Sequence, residues 1–166
     1  MAKRADASAG TPATVALTRA GIPFTAHAYE HDPRAAAYGL EAAEKLGLDP
    51  ARVFKTLLAT VDGALVVGIV PVADQLDLKA LAAALGGKRA DMADPALAER
   101  KTGYVVGGIS PVGQKTALPT VVDETAILCE TVFVSGGRRG LDLELAPDDL
   151  LAVTNGRYAP IARTRP

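Results

Sequence analysis

The chain has 166 residues, of which 49% are hydrophobic and 22% charged, and 18 basic and 19 acidic side chains give a net charge of −1. This length and composition are typical of one globular domain with its own hydrophobic core. No apolar run approaches the roughly 20 residues that a membrane helix needs, so we expect no membrane insertion. With this low net charge, the molecule as a whole has no strong electric field to attract nucleic acid. Any binding of nucleic acid would therefore need a local basic patch.

The N-terminal segment MAKRADASAGTPATVAL has two basic residues but no continuous apolar core behind them. It lacks the form of a secretory signal, so we expect a cytoplasmic protein. Residues 1–10 are expected to form a disordered tail and residues 11–166 a single domain. The only cysteine, Cys129, lies in the alternating run AILCETVFV, which predicts a buried and inert thiol in a core strand.

Helix and strand patterns alternate along the chain. Thr11 and Pro12 predict the start of a helix that ends near Gly21. Other helices are predicted in YGLEAAEKL, DLKALAAAL, PALAERKT and from Asp148 onward. Strands are predicted in residues 24–31 and in the segments VFKTLLATV, ALVVGIVPV, AILCETVFVSGG and LDLELAP. A turn at DG is expected to join the second and third strands, and a turn at GG the last two.

The predicted strands are joined mostly by tight turns, and long crossover connections are few. This order favours an α/β fold with a mixed, mainly antiparallel sheet over a doubly wound parallel one. We expect a curved sheet or a partly closed barrel flanked by helices.

The segment YVVGGISPVGQKT, residues 104–116, has the glycine, lysine and threonine content of a nucleotide-binding loop. In a Walker loop the lysine directly follows the second glycine, but here Gln114 precedes Lys115. Two prolines also disfavour the helix whose N-terminus would hold phosphates. Gly107 and Gly108 either aim backbone N–H groups at a developing negative charge or form an ordinary turn after a strand.

Lys55 is an unusual residue for its position, because in VFKTLLA it shares a strand face with the apolar residues Val53 and Leu57. Either its ammonium reaches solvent at the edge of the strand, or it points into a polar pocket and donates to a ligand. In SGGRRGLDLEL, Asp142 alternates with two leucines and could contribute to such a pocket or pair with an arginine.

Metal and serine-triad chemistry have little support in the sequence. His27 and His31 lie four apart in a predicted strand and would face the same side, but two ligands do not make a zinc site. A G-x-S-x-G motif is absent.

The chain from about residue 22 to residue 163 resembles the YbaK family of trans-editing deacylases, the Cys-tRNA(Pro) deacylases. These proteins are related to the inserted editing domain of bacterial prolyl-tRNA synthetases. The resemblance is carried by the order and spacing of HAYEHDP, EAAEKLGLDPARVFKTLLA, PVADQLDLKALAAALGGKRADMADP, TGYVVGGISPVGQK, LPT and VSGGRRGLDLEL. It implies an α/β fold with a mixed, partly closed sheet and hydrolysis of an aminoacyl ester without a metal or other cofactor.

The resemblance also implies roles for individual residues. Lys55, Gly107, Tyr29 and Asp142 match the catalytic positions of the family, and Gly107 opens its G-x-x-x-P loop around the 3′-terminal adenosine and its ester. The implied substrate-binding residues are Gly108, Ile109, Ser110, Pro111, His31, Ser135, Gly136 and Gly137. The implied partners are the 3′ end of a mischarged tRNA(Pro) and prolyl-tRNA synthetase, with no membrane and no DNA.

In this family the thiol of the bound cysteine is implied to attack its own carbonyl, which forms a cyclic thioester and expels the tRNA hydroxyl. Two alternatives stay open from the sequence. One is a deacylase that clears alanine, serine or threonine esters with an activated water. The other is a non-catalytic module that binds the tRNA end or the synthetase.

Overall fold

The computed structural model describes residues 10–35 and 37–164, so the tail expected at residues 1–10 lies, apart from Gly10, outside the described residues. The α-helices are α1 (Pro12–Ala20), α2 (Tyr38–Leu46), α3 (Leu78–Ala84), α4 (Pro95–Thr102) and α5 (Pro147–Thr154). The strands are β1 (Thr25–Ala28), β2 (Phe54–Val61), β3 (Ala64–Pro71), β4 (Asp74–Leu76), β5 (Ala90–Met92), β6 (Thr120–Asp123), β7 (Val132–Arg138), β8 (Leu141–Leu145), β9 (Arg157–Ala159) and β10 (Ala162–Thr164). Short 3₁₀ helices span Pro50–Arg52 and Glu124–Leu128. None of the described helices has the length and apolar content needed to cross a membrane.

Side-chain caps begin three of the helices. The side chains of Thr11, Asp77 and Asp94 accept a hydrogen bond from the N–H three residues later, at the starts of α1, α3 and α4. A glycine in the left-handed conformation ends α1, α2 and α4. The helices predicted from these capping residues are confirmed.

The strands form three sheets within the described residues. The largest has the order β5-β2-β3-β6-β9, in which β2 is antiparallel to β3 and β5, whereas β3, β6 and β9 run parallel. The second sheet is β1-β8-β7 and the third is β10-β4, both antiparallel. The predicted α/β fold with a mixed, mainly antiparallel sheet is confirmed.

The hairpin of β2 and β3 is the centre of the fold. Its turn has positive φ at Asp62 (49°) and Gly63 (89°), which is the two-residue geometry that suits the twist of a hairpin. Cores form on both faces of the hairpin, around Phe54 and Ile69 on one and around Val70 and α3 on the other. A parallel bridge between Val53 and Phe133 joins the start of β2 to the second sheet. The two sheets therefore meet next to Lys55.

The strand predicted over AILCETVFVSGG is wrong in its first half. The carboxylate of Asp123 accepts hydrogen bonds from the N–H and hydroxyl of Thr125, and this local cap starts a 3₁₀ helix instead of a strand. Cys129 ends that helix and is only partly buried, so its predicted place in a core strand is also wrong. Partial burial raises the pKa of the Cys129 thiol, although nearby Arg52 opposes the shift.

The predicted turn at Gly136 and Gly137 is wrong, because both glycines belong to β7. The pairing of β7 with β8 shifts register between Ser135 and Arg138, and Gly137 has a φ of 107° in this bulge. The chain reverses after β7 instead, where Gly140 has a φ of 88°. This bulge and turn place the two arginines of SGGRRG next to the glycine loop.

The first strand is shorter than predicted and ends at Ala28. Beyond it, the N–H of Asp32 donates to the carboxylate of Glu41 at 2.6 Å, which takes the chain away from β8. His31 therefore lies outside the strand, and the prediction that His27 and His31 share a strand face is wrong.

The segment predicted as a tail after α5 contains β9 and β10.

Candidate active site

A cavity of about 320 Å³ lies where β2, β7 and β8 meet the loop that follows α4. The four residues predicted to be catalytic, Tyr29, Lys55, Gly107 and Asp142, all line it. The rest of its wall is mainly apolar and comes from Tyr38, Gly39, Ala42, Val53, Phe54, Thr56, Leu57, Leu58, Met92, Ala93, Pro95, Ala98, Val106, Ile109, Ser135 and Arg138. A few polar groups in an apolar pocket are typical of a small-molecule site.

Lys55 enters the cavity from the second residue of β2, where it is paired in register with Val70. Its side chain is half-buried, and the preceding residues Val53 and Phe54 are almost completely buried. Of the two interpretations that the sequence leaves open for this lysine, the structure supports the pocket. A lysine there supplies a positive charge that can donate up to three hydrogen bonds.

Asp142 is a carboxyl group held in the second sheet, opposite His27 of β1 and Ser135 of β7. It is only 6% exposed, and this burial raises its pKa to about 7. A close arginine would lower the pKa, so the direction of the shift favours a pocket residue over an ion pair. Near neutral pH this carboxyl can therefore act as either a donor or an acceptor.

Tyr29 follows β1, and its backbone N–H donates to the carbonyl of Gly140 at 2.9 Å. Burial, and then the charge of Asp142, raise the pKa of the Tyr29 phenol to about 12. The phenol stays neutral at physiological pH and can donate a hydrogen bond within the cavity.

The glycine loop begins with a tight turn over residues 105–108. The N–H of Gly108 donates to the carbonyl of Val105 at 2.9 Å, and Gly107 has a φ of 94°, as in a type II β-turn. No helix follows, because the described chain between α4 and β6 contains none. The loop therefore lacks the helix N-terminus of a phosphate-binding loop.

Only part of the loop faces the cavity. Gly107 and Ile109 line it, whereas Gly108, Ser110 and Pro111 are buried behind it. The hydroxyl of Ser110 accepts a hydrogen bond from the N–H of Val112, and its carbonyl accepts one from a nearby glutamine side chain. These residues hold the shape of the loop.

The other predicted binding residues are similarly divided. Ser135 lines the cavity, but Gly136 and Gly137 do not. A Cβ atom on Gly136 would lie 2.6 Å from Leu141, and one on Gly137 would lie 2.8 Å from the ring of Tyr104. Both glycines permit close packing beneath the site.

His31 lies behind the cavity wall. Its Nδ1 is 2.8 Å from Oε1 of Glu41, and its ring is 5.7 Å from the ring of Tyr38, which lines the cavity. Glu41 is buried, which opposes its ionisation, but the N–H of Asp32 and the ring of His31 lower its pKa below the usual value. His31 and Glu41 thus anchor α2 against the segment that follows β1.

Sequence reasoning missed three residues at this site: Tyr38, Glu41 and Arg139. Tyr38 and Glu41 lie three positions apart on α2 and so share a helix face, which was a usable signal. Arg139 had no such signal, because its contacts come from a turn and a loop far apart in sequence. Its guanidinium carbon is 4.6 Å from the centre of the Tyr38 ring, and its Nη2 donates to the carbonyl of Val106 at 2.6 Å.

A metal site is not evident in the described part of the chain, where no three His, Cys, Asp or Glu side chains are grouped to hold an ion. Cys129 and His27 also lie outside the cavity wall. His27 instead contacts Glu144 at 2.9 Å.

Comparisons with known proteins agree on one family. Residues 32–153 match the model of the aminoacyl-tRNA editing domain. Over 121 residues the chain is 44% identical to an Enterococcus faecalis protein provisionally named Cys-tRNA(Pro)/Cys-tRNA(Cys) deacylase EbsC, covering 72% of this chain and 73% of that protein. A proline–tRNA ligase of Maridesulfovibrio salexigens is 33% identical over 100 residues, which are 60% of this chain but 17% of the ligase. A crystal structure described as a candidate trans-editing enzyme for prolyl-tRNA synthetase aligns with a TM-score of 0.78 and 25% identity, covering 92% of this chain and 95% of that one.

Proposed function

Because this chain belongs to the aminoacyl-tRNA editing domain family, we propose that it is a trans-editing deacylase that hydrolyses mischarged Cys-tRNA(Pro). One observation supports this most strongly. Lys55, Tyr29, Gly107 and Asp142 come from distant parts of the sequence, yet all line one cavity.

The walls of the cavity suit an aminoacylated 3′ end. Lys55 offers a cation for the terminal nucleotide, and the backbone at Gly107, which also lines the cavity, would hold the ester carbonyl. The apolar residues of the wall, among them Leu58 and Ala98, suit a small side chain such as that of cysteine.

The described residues that line the cavity include no evident activated nucleophile. A lysine, a neutral tyrosine and a buried carboxyl do not form a nucleophile with an adjacent base, and Cys129 does not line the cavity. We propose that the thiol of the bound cysteine attacks its own carbonyl carbon. The new C–S bond closes a cyclic thioester, the ester C–O bond breaks, and the thiol proton passes to the departing ribose oxygen. Water then hydrolyses the thioester to free cysteine.

In this mechanism the protein positions the ester and stabilises charge on its oxygen. The neutral phenol of Tyr29 and the N–H groups of the glycine loop are the available donors. Asp142 fixes the polar end of the pocket beside Ser135, its partner in register on β7.

A second candidate is a deacylase of alanine, serine or threonine esters that uses water. It is favoured by the pKa of about 7 at Asp142, because a general base works best when its pKa lies near the operating pH.

The proposed partners follow from the family and from charge. The matches to proline–tRNA ligases support prolyl-tRNA synthetase as a partner and tRNA(Pro) as the carrier, which would place the protein in the cytoplasm. A net charge of −1 gives little general attraction for tRNA, so recruitment by the synthetase would supplement a weak, salt-dependent affinity.

The test is a panel of tRNA(Pro) charged with cysteine, alanine or proline, offered to the purified protein. We expect the cysteinyl ester to be hydrolysed and the prolyl ester to survive, because proline has no thiol. Rapid hydrolysis of the alanyl ester would favour the water mechanism. Binding without hydrolysis of any ester would show a non-catalytic module.

A further inference from the structure

We propose that Arg139 is a positioning residue that fixes the orientation of the peptide between Val106 and Gly107 at the edge of the cavity. The proposal rests on the deacylase function proposed above. Arg139 itself is solvent-exposed and does not line the cavity, but both residues of that peptide do.

Two contacts hold the guanidinium in one place. Its Nη2 donates to the carbonyl of Val106 at 2.6 Å, and its central carbon, Cζ, lies over the ring of Tyr38 at 4.6 Å from the ring centre. Tyr38 is in turn supported by the ring of His31. A guanidinium that lies over an aromatic ring and also donates a hydrogen bond is restricted in its movement.

Holding the carbonyl of Val106 also determines the direction of the N–H of Gly107. Both groups belong to the same planar trans peptide and point in opposite directions. This is the central peptide of the turn over residues 105–108, whose orientation distinguishes a type II turn from a type I turn. The φ of 94° at Gly107 shows the type II form, and Arg139 holds the carbonyl in the direction that this form requires.

The remaining contacts of the loop support the same orientation. The N–H of Val106 donates to the carboxylate of Glu99 at 2.8 Å, so the turn is held on both sides of this residue. A Cβ atom on Gly107 would lie 2.5 Å from Nε of Arg139 and 2.9 Å from the ring of Tyr38. This packing and the positive φ together favour glycine at position 107.

The N–H of Gly107 makes no hydrogen bond with any described residue, whereas its neighbours Val106 and Gly108 both donate one. It is therefore available to a ligand oxygen. Donation from a cation to the carbonyl of the same peptide also polarises its N–H and strengthens it as a donor. Arg139 would thus act on the reacting ester through the peptide, without touching it.

The test is Arg139→Lys, which keeps the charge but cannot both stack on Tyr38 and donate in the plane of a guanidinium. Arg163→Lys is the matched control, since Arg163 is an exposed arginine of β10 outside the cavity wall. In single-turnover and steady-state assays on Cys-tRNA(Pro), we expect Arg139→Lys to lower kcat about 10- to 100-fold, a smaller loss than removal of a whole oxyanion donor causes. KM should stay within about twofold, and the control should match the wild type in both constants.

Two further measurements separate positioning from a general structural role. The ¹H–¹⁵N resonance of Gly107 should shift in Arg139→Lys while the melting temperature changes little. In Arg139→Ala, added guanidinium ion should restore part of kcat, and sodium ion at equal ionic strength should not.

The outcomes against the proposal are distinct. An unchanged kcat in Arg139→Lys would overturn it, as would a raised KM at unchanged kcat, which would make Arg139 a tRNA phosphate contact. If the activity of the variant falls in proportion to its fraction of folded protein, Arg139 stabilises the fold and does not position the peptide. A wild-type protein inert on every aminoacyl-tRNA would overturn the deacylase function and this role together, whereas an active wild type with an unaffected Arg139→Lys would overturn this role alone.

Discussion

The carboxyl group of Asp142 is a strongly perturbed side chain of the cavity. It is desolvated, which raises its pKa to about 7, and its charge in turn raises the pKa of the Tyr29 phenol, already raised by burial. Lys55 lies in the same cavity and is the cation that we propose for binding the tRNA end. The desolvated carboxyl of Asp142 opposes folding when it is ionised. One prediction measures this cost, and a second tests the functional role of Lys55.

Asp142→Asn should stabilise the protein, increasingly so as the pH rises. In the unfolded chain Asp142 ionises near pH 4, but in the fold only near pH 7, so the wild type loses stability between these values. Asparagine removes that loss, and we expect a gain on the order of 1–3 kcal/mol at pH 8 and little change at pH 4. Urea unfolding at both pH values measures the difference. A gain equal at both pH values would show that ionisation of Asp142 is not the cause.

Lys55→Ala should reduce deacylation at least 100-fold, if the ammonium anchors the terminal nucleotide, and should leave the protein folded. Lys55 is only half-buried, so we expect the truncated side chain to be tolerated by the fold. Lys79→Ala, which removes an exposed lysine of α3, is the matched control and should behave like the wild type. Normal turnover by a folded Lys55→Ala protein would remove the lysine from the mechanism.

At the scale of elements, the second sheet is shaped by the bulge in β7. The positive φ of Gly137 makes room for Tyr104, whose hydroxyl donates to the carbonyl of Val112 at 2.6 Å beneath the glycine loop. The bulge also moves the reversal of the chain to Gly140, beside Tyr29. Gly137 therefore contributes both to the bulge of the second sheet and to the packing of Tyr104 beneath the glycine loop.

Gly137→Ala should destabilise the protein by roughly 2–4 kcal/mol, because alanine adds the strain of positive φ and a collision with Tyr104. Gly47→Ala is the control, since Gly47 also has a positive φ but nothing lies within 4 Å of its Cβ position. It should cost only about 1 kcal/mol. Equal losses in thermal or urea unfolding would mean that backbone strain alone accounts for both.

Cys129→Ala should cost less than about 1 kcal/mol and leave activity normal, because the thiol is only partly buried and lies outside the cavity wall. Unfolding in urea and the turnover of Cys-tRNA(Pro) measure the two quantities. Complete loss of activity in a folded variant would show that the protein supplies the thiol.

Local signals were sufficient to predict most helices and the central hairpin, because caps such as Thr11 and Asp94 and the turn at Gly63 act on their own neighbours. Local signals gave wrong predictions at two places. At Asp123 the side chain caps a 3₁₀ helix where a strand was predicted, and at Gly137 the glycine lies in a bulge where a turn was predicted. The family motif placed Lys55 and Gly107 at one site. Arg139 could not be found in this way, because its role depends on a peptide that only tertiary folding brings to it.

At the scale of the whole molecule, we propose that the protein uses the thiol of its substrate as the nucleophile. In this proposal the chain offers a cavity, a cation and loop N–H groups, and the reacting group would arrive with the amino acid. Selectivity follows from this arrangement, since an amino acid without a thiol cannot carry out the attack however well it fits.

The most direct test compares Cys-tRNA(Pro) with Ser-tRNA(Pro) under single-turnover conditions at saturating protein, with binding measured separately by competition. The two esters differ little in size, but a neutral hydroxyl is a far poorer nucleophile than a thiol that is a few per cent ionised near pH 7. We expect similar binding and a rate for the seryl ester lower by more than the roughly 10- to 200-fold that small pocket contacts can supply. Equal rates for the two esters would contradict thiol attack and establish hydrolysis by water.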